Sequence, residues 1–282
     1  MVCAWQELLN ILPVWMRASV DKLGRNDLQE VRLRLGQPLF LKCKTTEQFF
    51  ERRVTAADMH YCINVASKYS PWLANSADNG YVTAPGGHRI GVCGDMHGSA
   101  GSVTDLMGIS SLCIRVARDY PGLADKIPNT ANSILIIGKP GSGKTTLLRD
   151  LIRYRSDKLN EAISVVDERC EIFPRVNGTF CFETGKFTDV LTSCKKAKGI
   201  EAVLRSMGPD SIAVDEITAA EDCSALFHAA WCGVKLIATA HARTKNDLCS
   251  RALYRPLIEN KIFDTIIILD ANQSFHAERL NT

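Results

Sequence analysis

The sequence predicts a mostly parallel α/β domain over residues 133–282, preceded by a smaller α+β domain over residues 1–120. Three observations predict it. After residue 133, short apolar β-branched runs alternate with helical patterns, the rhythm of a sheet whose parallel strands are covered by helices. Before residue 120, alternating runs come in pairs joined by Gly and Pro, which implies antiparallel hairpins. Between them Arg118 to Asn132, with Pro121-Gly122 and Pro128-Asn129, follows neither period, so residues 121–132 are read as the linker.

In chain order, Trp5, Leu8, Leu9, Leu12, Trp15 and Met16 recur at near-helical spacing, with Pro13 set to kink or divide the segment. Such a face covers a core or docks on a partner or membrane surface. Val31 to Leu35 and Leu39 to Cys43 form a hairpin across Gly36-Gln-Pro38, with Arg32 and Arg34 together on its polar side as solvated charges or as an electrostatic contribution to a neighbouring subunit. Thr55-x-x-Asp58 opens a helix lined by Met59, Ile63, Ala66 and Tyr69, and Pro71 ends it. A second hairpin joins Tyr81–Ala84 to His88–Cys93 through Pro85-Gly-Gly87, and Leu112 to Val116 is a further strand after a glycine-rich loop over 94–108. In the second domain, strands are expected at 133–138, 162–167, 211–215, 235–241 and 265–269. Helices are expected near 144–155, 199–207, 219–231 and 245–253.

Composition bounds the function classes. With 282 residues, 46% hydrophobic and 23% charged, the chain has the material for a normal core. A net charge of +3 is too small to argue for nucleic acid, and the one basic cluster, Lys195-Lys196-Ala197-Lys198, reads as a solvated face or a polyanion contact. Eleven cysteines, an odd number with no C-x-x-C pair, indicate neither zinc nor a disulfide framework but reduced thiols in the cytosol. No apolar run approaches the length of a bilayer span, and the N-terminus lacks the basic region of a signal peptide, so a cytoplasmic protein is expected.

The chemistry is concentrated at strand ends. Ser133-Ile-Leu-Ile-Ile runs straight into Gly138-Lys139-Pro140-Gly141-Ser142-Gly143-Lys144-Thr145, followed by Thr146 and a helix with Leu147, Leu148, Leu151 and Ile152 on one side. This is G-x-x-x-x-G-K-T in its strand–loop–helix setting. The glycines let backbone N–H groups converge on a phosphate at a helix N-terminus. Lys144 then reaches the β and γ phosphates of ATP, and the Thr145 hydroxyl holds Mg²⁺. Ser211-Ile-Ala-Val-Asp215-Glu216 delivers a second metal-side acid, Asp215, with Glu216 placed to polarise the attacking water. Asp167-Glu168-Arg169 ends another strand; Glu168 shares the water-activating candidacy, or these acids cap and pair locally. His241 ends the strand expected beside Asp215, within range of a γ-phosphate oxygen. The extra positive charge that P-loop hydrolysis generally needs has five candidate sources: Arg89, Arg115, Arg118, Arg243 and Arg251.

This series of phosphate loop, acidic box, Asp-Glu pair and histidine box resembles the type II and type IV secretion ATPases of the additional-strand P-loop class. More narrowly, His88-Arg-Ile-Gly-Val-Cys93, Gly143 to Asp150, Val166-Asp-Glu-Arg169, Arg205 to Asp210 and Thr239-Ala-His-Ala242 resemble the stage III sporulation protein AA family, over most of the chain. The resemblance implies a RecA/AAA-like P-loop ATPase using ATP and Mg²⁺ in the mother cell of a sporulating bacterium. It further implies a homo-hexameric ring, peripheral at the membrane, working with membrane proteins of the stage III sporulation channel. One departure stands out: relatives carry an arginine shortly after the Asp-Glu pair, and this chain has Thr218-Ala-Ala220. Two other readings remain, an assembly scaffold that binds ATP with little turnover and a nucleic-acid-handling ATPase, the latter disfavoured by the low charge.

Overall fold

In a computed structural model, the structure describes residues 1–67, 80–94, 108–128, 132–270 and 274–280. Tyr69 and Pro71 of the expected first-domain helix, Asn129, and nearly all of the 94–108 loop lie outside them. The chain divides into two compact units, one made of Met1–Arg118 with Pro174–Cys181, the other of Asp119–Phe173 with Phe182–Thr282.

In the first unit, Pro13 divides the N-terminal helical stretch into α1 (Trp5–Ile11) and α2 (Val14–Leu23), because it fits before a helix but not inside one. Their apolar side packs into the core through Leu8, Ile11, Leu12, Met16 and Val20, so this face covers the unit's own sheet. That sheet has six antiparallel strands: β1 (Leu28–Arg34), β2 (Pro38–Cys43), β3 (Glu47–Arg53), β4 (Tyr81–Thr83), β5 (Arg89–Gly94) and β6 (Ile109–Arg115), in the order β3-β2-β1-β6-β5-β4. Helix α3 (Ala56–Ala66) begins on the expected capping box, in which Asp58 N–H donates to Thr55 Oγ1 and Asp58 Oδ2 accepts Thr55 N–H. Arg32 is tied to Glu30 at 2.8 Å rather than simply solvated.

The second unit holds a seven-stranded sheet in the order β11-β8-β12-β13-β7-β14-β15. Its members are β7 (Ile134–Gly138), β8 (Ile163–Asp167), β11 (Thr188–Thr192), β12 (Ser211–Val214), β13 (Lys235–Ala240), β14 (Thr265–Leu269) and β15 (Phe275–Arg279); the short pair β9 (Arg175–Val176) and β10 (Thr179–Phe180) belongs to the first unit. All of the seven pair in parallel except the edge strand β15, which runs against β14. Helix α4 (Lys144–Leu159) follows β7, α5 (Lys196–Ser206) precedes β12, and α6 (Ala220–Trp231) follows it. The helix expected over 245–253 is shorter, α7 (Lys245–Ser250), and a further helix, α8 (Arg255–Glu259), follows with Pro256 in its first turn.

Helix α4 is buried on more than its apolar side. Arg149, Asp150, Arg153 and Arg155 are all nearly inaccessible. Arg155 forks onto Glu161, with its Nε 2.5 Å from Oε2; Arg153 joins Asp119 and Asp150, each at 2.6 Å. Asp150 in turn accepts the N–H groups of Gly122 and Ala124, which seats residues 122–124 against the helix. Buried charges persist when each finds its partner, and here the partners hold the helix that carries the phosphate loop.

Candidate active site

The loop after β7 closes tightly. A Cβ on Gly138 would lie 2.5 Å from Ser142 Oγ, so glycine is required for the loop to fold back on its own strand. Gly143, at φ +99°, turns the chain into α4 with its N–H groups in a left-handed bend that few other residues adopt. Lys144 is buried, and its ammonium donates to the carbonyls of Gly138 and Lys139, both at 3.0 Å. Burial pulls its pKa below the ordinary lysine value, opposed by the charges of Asp215 and Glu216. Ser142 Oγ is buried and has no hydrogen-bond partner. Lys139, Pro140 and Gly141 are exposed at the tip of the loop, while Thr146 lines a pocket with Tyr120, Leu123, Leu147, Leu269 and Phe275.

Around Lys144 the other strand ends converge, because β12 lies between β8 and β13, and β13 lies beside β7. Thr145 Oγ1 donates to Asp215 Oδ2 at 2.6 Å. Thr239, fully buried on β13, donates to Asp215 Oδ1 at 2.5 Å and accepts the Glu216 N–H at 2.8 Å. Glu216 adopts φ +56°, an uncommon conformation for a non-glycine residue, and that turn aims its carboxylate at His241. His241 Nδ1 stands 3.1 Å from the Lys144 ammonium and its Nε2 2.5 Å from Glu216 Oε1. An ammonium only donates, so Nδ1 accepts and Nε2 carries the proton toward Glu216.

The remaining acids are already engaged. Asp167, at the end of β8, accepts the N–H groups of Glu171 and Phe173, and burial raises its pKa to about 6 against the backbone hydrogen bonds from Phe173 and Ile172. Glu168 accepts from Lys196 at 2.6 Å. Lys196 is 5% exposed, with Asp222 at 3.9 Å on its other side, which corrects the reading of Lys195 to Lys198 as one solvated face: only Lys195 and Lys198 are exposed. Helix α5 starts at Lys196, and its first turn points this lysine back at the end of β8.

Of the five arginines considered from sequence, Arg89 stacks on Tyr81, Arg115 lies 3.7 Å from Glu30, Arg118 donates to the Arg25 and Leu28 carbonyls, and Arg251 pairs with Asp247 at 3.1 Å. The backbone N–H of Arg243 donates to the same Asp247. The guanidinium that meets the acids is Arg169, whose Nη1 lies 3.2 Å from Glu216 Oε2. Sequence reasoning had Arg169 only as a neighbour of the acidic box; the missing signal was its register beside β12, which no local pattern encodes.

The donor set suits a Mg-nucleotide. The desolvated ammonium and the unpartnered Ser142 hydroxyl suit phosphate oxygens, and Thr145 with Asp215 are hard oxygen donors of the kind Mg²⁺ takes.

Comparisons with known proteins give the family and the fold. The sequence profile described as "Sporulation stage III, protein AA" matches residues 4–277. The chain belongs to that family. It is 36% identical to the stage III sporulation protein AA of Bacillus subtilis (strain 168), over 93% of this chain and 90% of that protein. It is also 25% identical to the competence protein ComGA of the same organism, over 90% of this chain and 76% of that one. Among solved structures, the pilus retraction motor PilT with bound ADP superposes with a TM-score of 0.65 at 18% identity, over 96% of this chain and 84% of that one. The ATPase DotB of Legionella pneumophila gives 0.61 at 18% identity, over 95% and 80%. The chain therefore has the P-loop fold that PilT and DotB share, a mostly parallel sheet accompanied by a smaller antiparallel one. Among the described residues no helix is long and apolar enough to cross a membrane.

Proposed function

We propose that this family member binds Mg-ATP at the loop 138–146 and hydrolyses it, as a secretion-type motor. The observation that supports this best is the convergence at one sheet edge of Lys144, Thr145, Asp215, Glu216 and His241. Thr145 and Asp215 hold the metal, which when bound neutralises charge on the phosphates. Lys144, already stripped of water, contributes its ammonium to the phosphate oxygens, and the apolar pocket of Tyr120, Leu123, Leu269 and Phe275 offers a surface for the base. Glu216 orients the attacking water, and His241 fixes the Glu216 carboxylate while keeping its Nε2 proton available near the reacting phosphate. Glu168, held by Lys196, is the weaker candidate for the water-activating task.

The same reading takes the protein as a homo-hexameric ring in the mother-cell cytoplasm, peripheral at the membrane through the channel proteins it energises. Its family membership supports this setting. The test is Mg-dependent phosphate release by the purified, assembled protein: wild type turns over, Lys144→Ala loses nucleotide binding, and Glu216→Gln binds ATP without releasing phosphate. Wild type that stays inactive both alone and with its membrane partners overturns the proposal.

A second reading, an ATP-dependent scaffold with little turnover, is favoured by the absence of an arginine in Thr218-Ala-Ala220. It predicts that Glu216→Gln sporulates as well as wild type.

A further inference from the structure

We propose that Arg169 is a phosphate-contacting residue: on nucleotide binding it leaves Glu216 for the terminal phosphate of the triphosphate, supplying in cis the positive charge that Thr218-Ala-Ala220 lacks. This rests on the reading of the site as an ATPase. Arg169 lies two residues beyond β8, the strand that pairs in parallel with β12, so its backbone emerges at the edge where Asp215 and Glu216 emerge. Its Nη1 lies 3.2 Å from Glu216 Oε2, and the other oxygen of the same carboxylate is 2.5 Å from His241, itself 3.1 Å from the Lys144 ammonium. The guanidinium is thus one end of a continuous chain, Arg169–Glu216–His241–Lys144, whose other end is the phosphate-loop lysine.

The loop around Arg169 is anchored on both sides. Before it, Glu168 is fastened to Lys196; after it, the N–H groups of Glu171 and Phe173 are held by Asp167. The Arg169 side chain, by contrast, is 53% exposed. An ion pair this exposed is held weakly, because solvent screens it. A terminal phosphate offers several charged oxygens and matches the planar fork of arginine, so the guanidinium gains by the exchange. Its departure also releases Glu216 Oε2, the oxygen that a water to be oriented must reach. One residue therefore pairs with the acid proposed to orient water and, on nucleotide binding, adds charge stabilisation.

The measurement is equilibrium binding, by calorimetry with Mg²⁺, of ATPγS and of ADP to wild type, Arg169→Ala and Arg169→Lys, with thermal melts to show that each variant is folded. Arg169→Ala is expected to bind ATPγS at least tenfold more weakly while its ADP affinity stays within twofold, and Arg169→Lys to fall between. Equal affinities in all three proteins, or an equal loss for both ligands, overturns the proposal and leaves the ATPase reading standing. Wild type that binds neither nucleotide overturns both. Were the alanine variant to melt early, the lysine variant decides by the same ratio.

Discussion

Thr239 and Asp215 share a hydrogen bond of 2.5 Å, and the same hydroxyl accepts the backbone N–H of Glu216. One buried threonine therefore sets both Asp215, the acid proposed to hold the metal, and the start of the turn at Glu216. Thr239→Val keeps the shape and removes both bonds, leaving a buried N–H without a partner. We expect a loss of about 1–3 kcal/mol in urea unfolding and a fall in hydrolysis of at least tenfold. Thr239→Ser, which restores the hydroxyl, should recover most of the rate; a valine variant as active as wild type would refute the positioning role.

The two candidate glutamates should separate by what they disturb. Glu168 is bonded to a lysine that is 5% exposed, so Glu168→Gln leaves that buried charge with only the longer contact to Asp222 at 3.9 Å and should cost on the order of 2 kcal/mol in stability. Glu216 instead meets partners that themselves reach solvent, His241 at 33% and Arg169 at 53% exposed. Glu216→Gln should therefore melt within a few degrees of wild type but lose at least a hundredfold in turnover. Paired melts and single-turnover rates test this, and the opposite pattern would reassign the water-orienting acid.

How far the sequence could be read follows from where each residue finds its partner. Strands β7, β8, β12, β13 and β14 were legible because central parallel strands are apolar on both faces, as in Ile134-Leu-Ile-Ile137. The edge strands were not: Thr188-Asp-Val-Leu-Thr192 and Phe275-His-Ala-Glu-Arg279 meet solvent along one side and carry polar residues that resemble loop. Glu47 to Arg53 is mostly exposed and polar in the same way. The convergence of Lys144, Asp215 and His241 followed from strand ends alone, since a parallel sheet brings them to one edge. Lys196, the Arg149–Arg153 cluster and the Arg169–Glu216 pair depend on contacts between segments distant in sequence, and a charged residue in a helix looks solvated until its buried partner is known.

His88 gives a pH dependence independent of catalysis. It is fully buried, its Nδ1 accepts the Ala117 N–H at 3.1 Å, and its Nε2 lies 3.0 Å from the Ala4 carbonyl, so it is held as the neutral tautomer. Burial, aided by Arg118, depresses its pKa below 6.5, outweighing the bond to Ala4. The unfolded chain then binds the proton first as pH falls below about 6.5. Stability from this group is complete above that pH and is lost as pH drops toward the folded-state pKa, with a slope of at most about 1.4 kcal/mol per pH unit. Urea midpoints at pH 7.5 and 5.5 should fall more for wild type than for His88→Leu, which is less stable at neutral pH but lacks this proton. Parallel pH profiles would show that the imidazole does not control it.

Gly199 opposes two physical effects whose sizes decide the outcome. It lies inside α5, where alanine is ordinarily better by about 1 kcal/mol through backbone entropy. A Cβ there, however, would stand 2.4 Å from Val166 Cγ1 and 2.9 Å from Cys194 Sγ. Val166 is β-branched and buried in β8, one residue before Asp167, so it has little room to give way. Overpacking of this kind costs about 1–3 kcal/mol, and the helix must also rise from the sheet, carrying Lys196 away from Glu168. Gly199→Ala should therefore destabilise the protein by up to about 2 kcal/mol net and weaken the Lys196–Glu168 pair. The check is a double-mutant cycle: in the Gly199→Ala background, Glu168→Gln should cost less than half of what it costs in wild type.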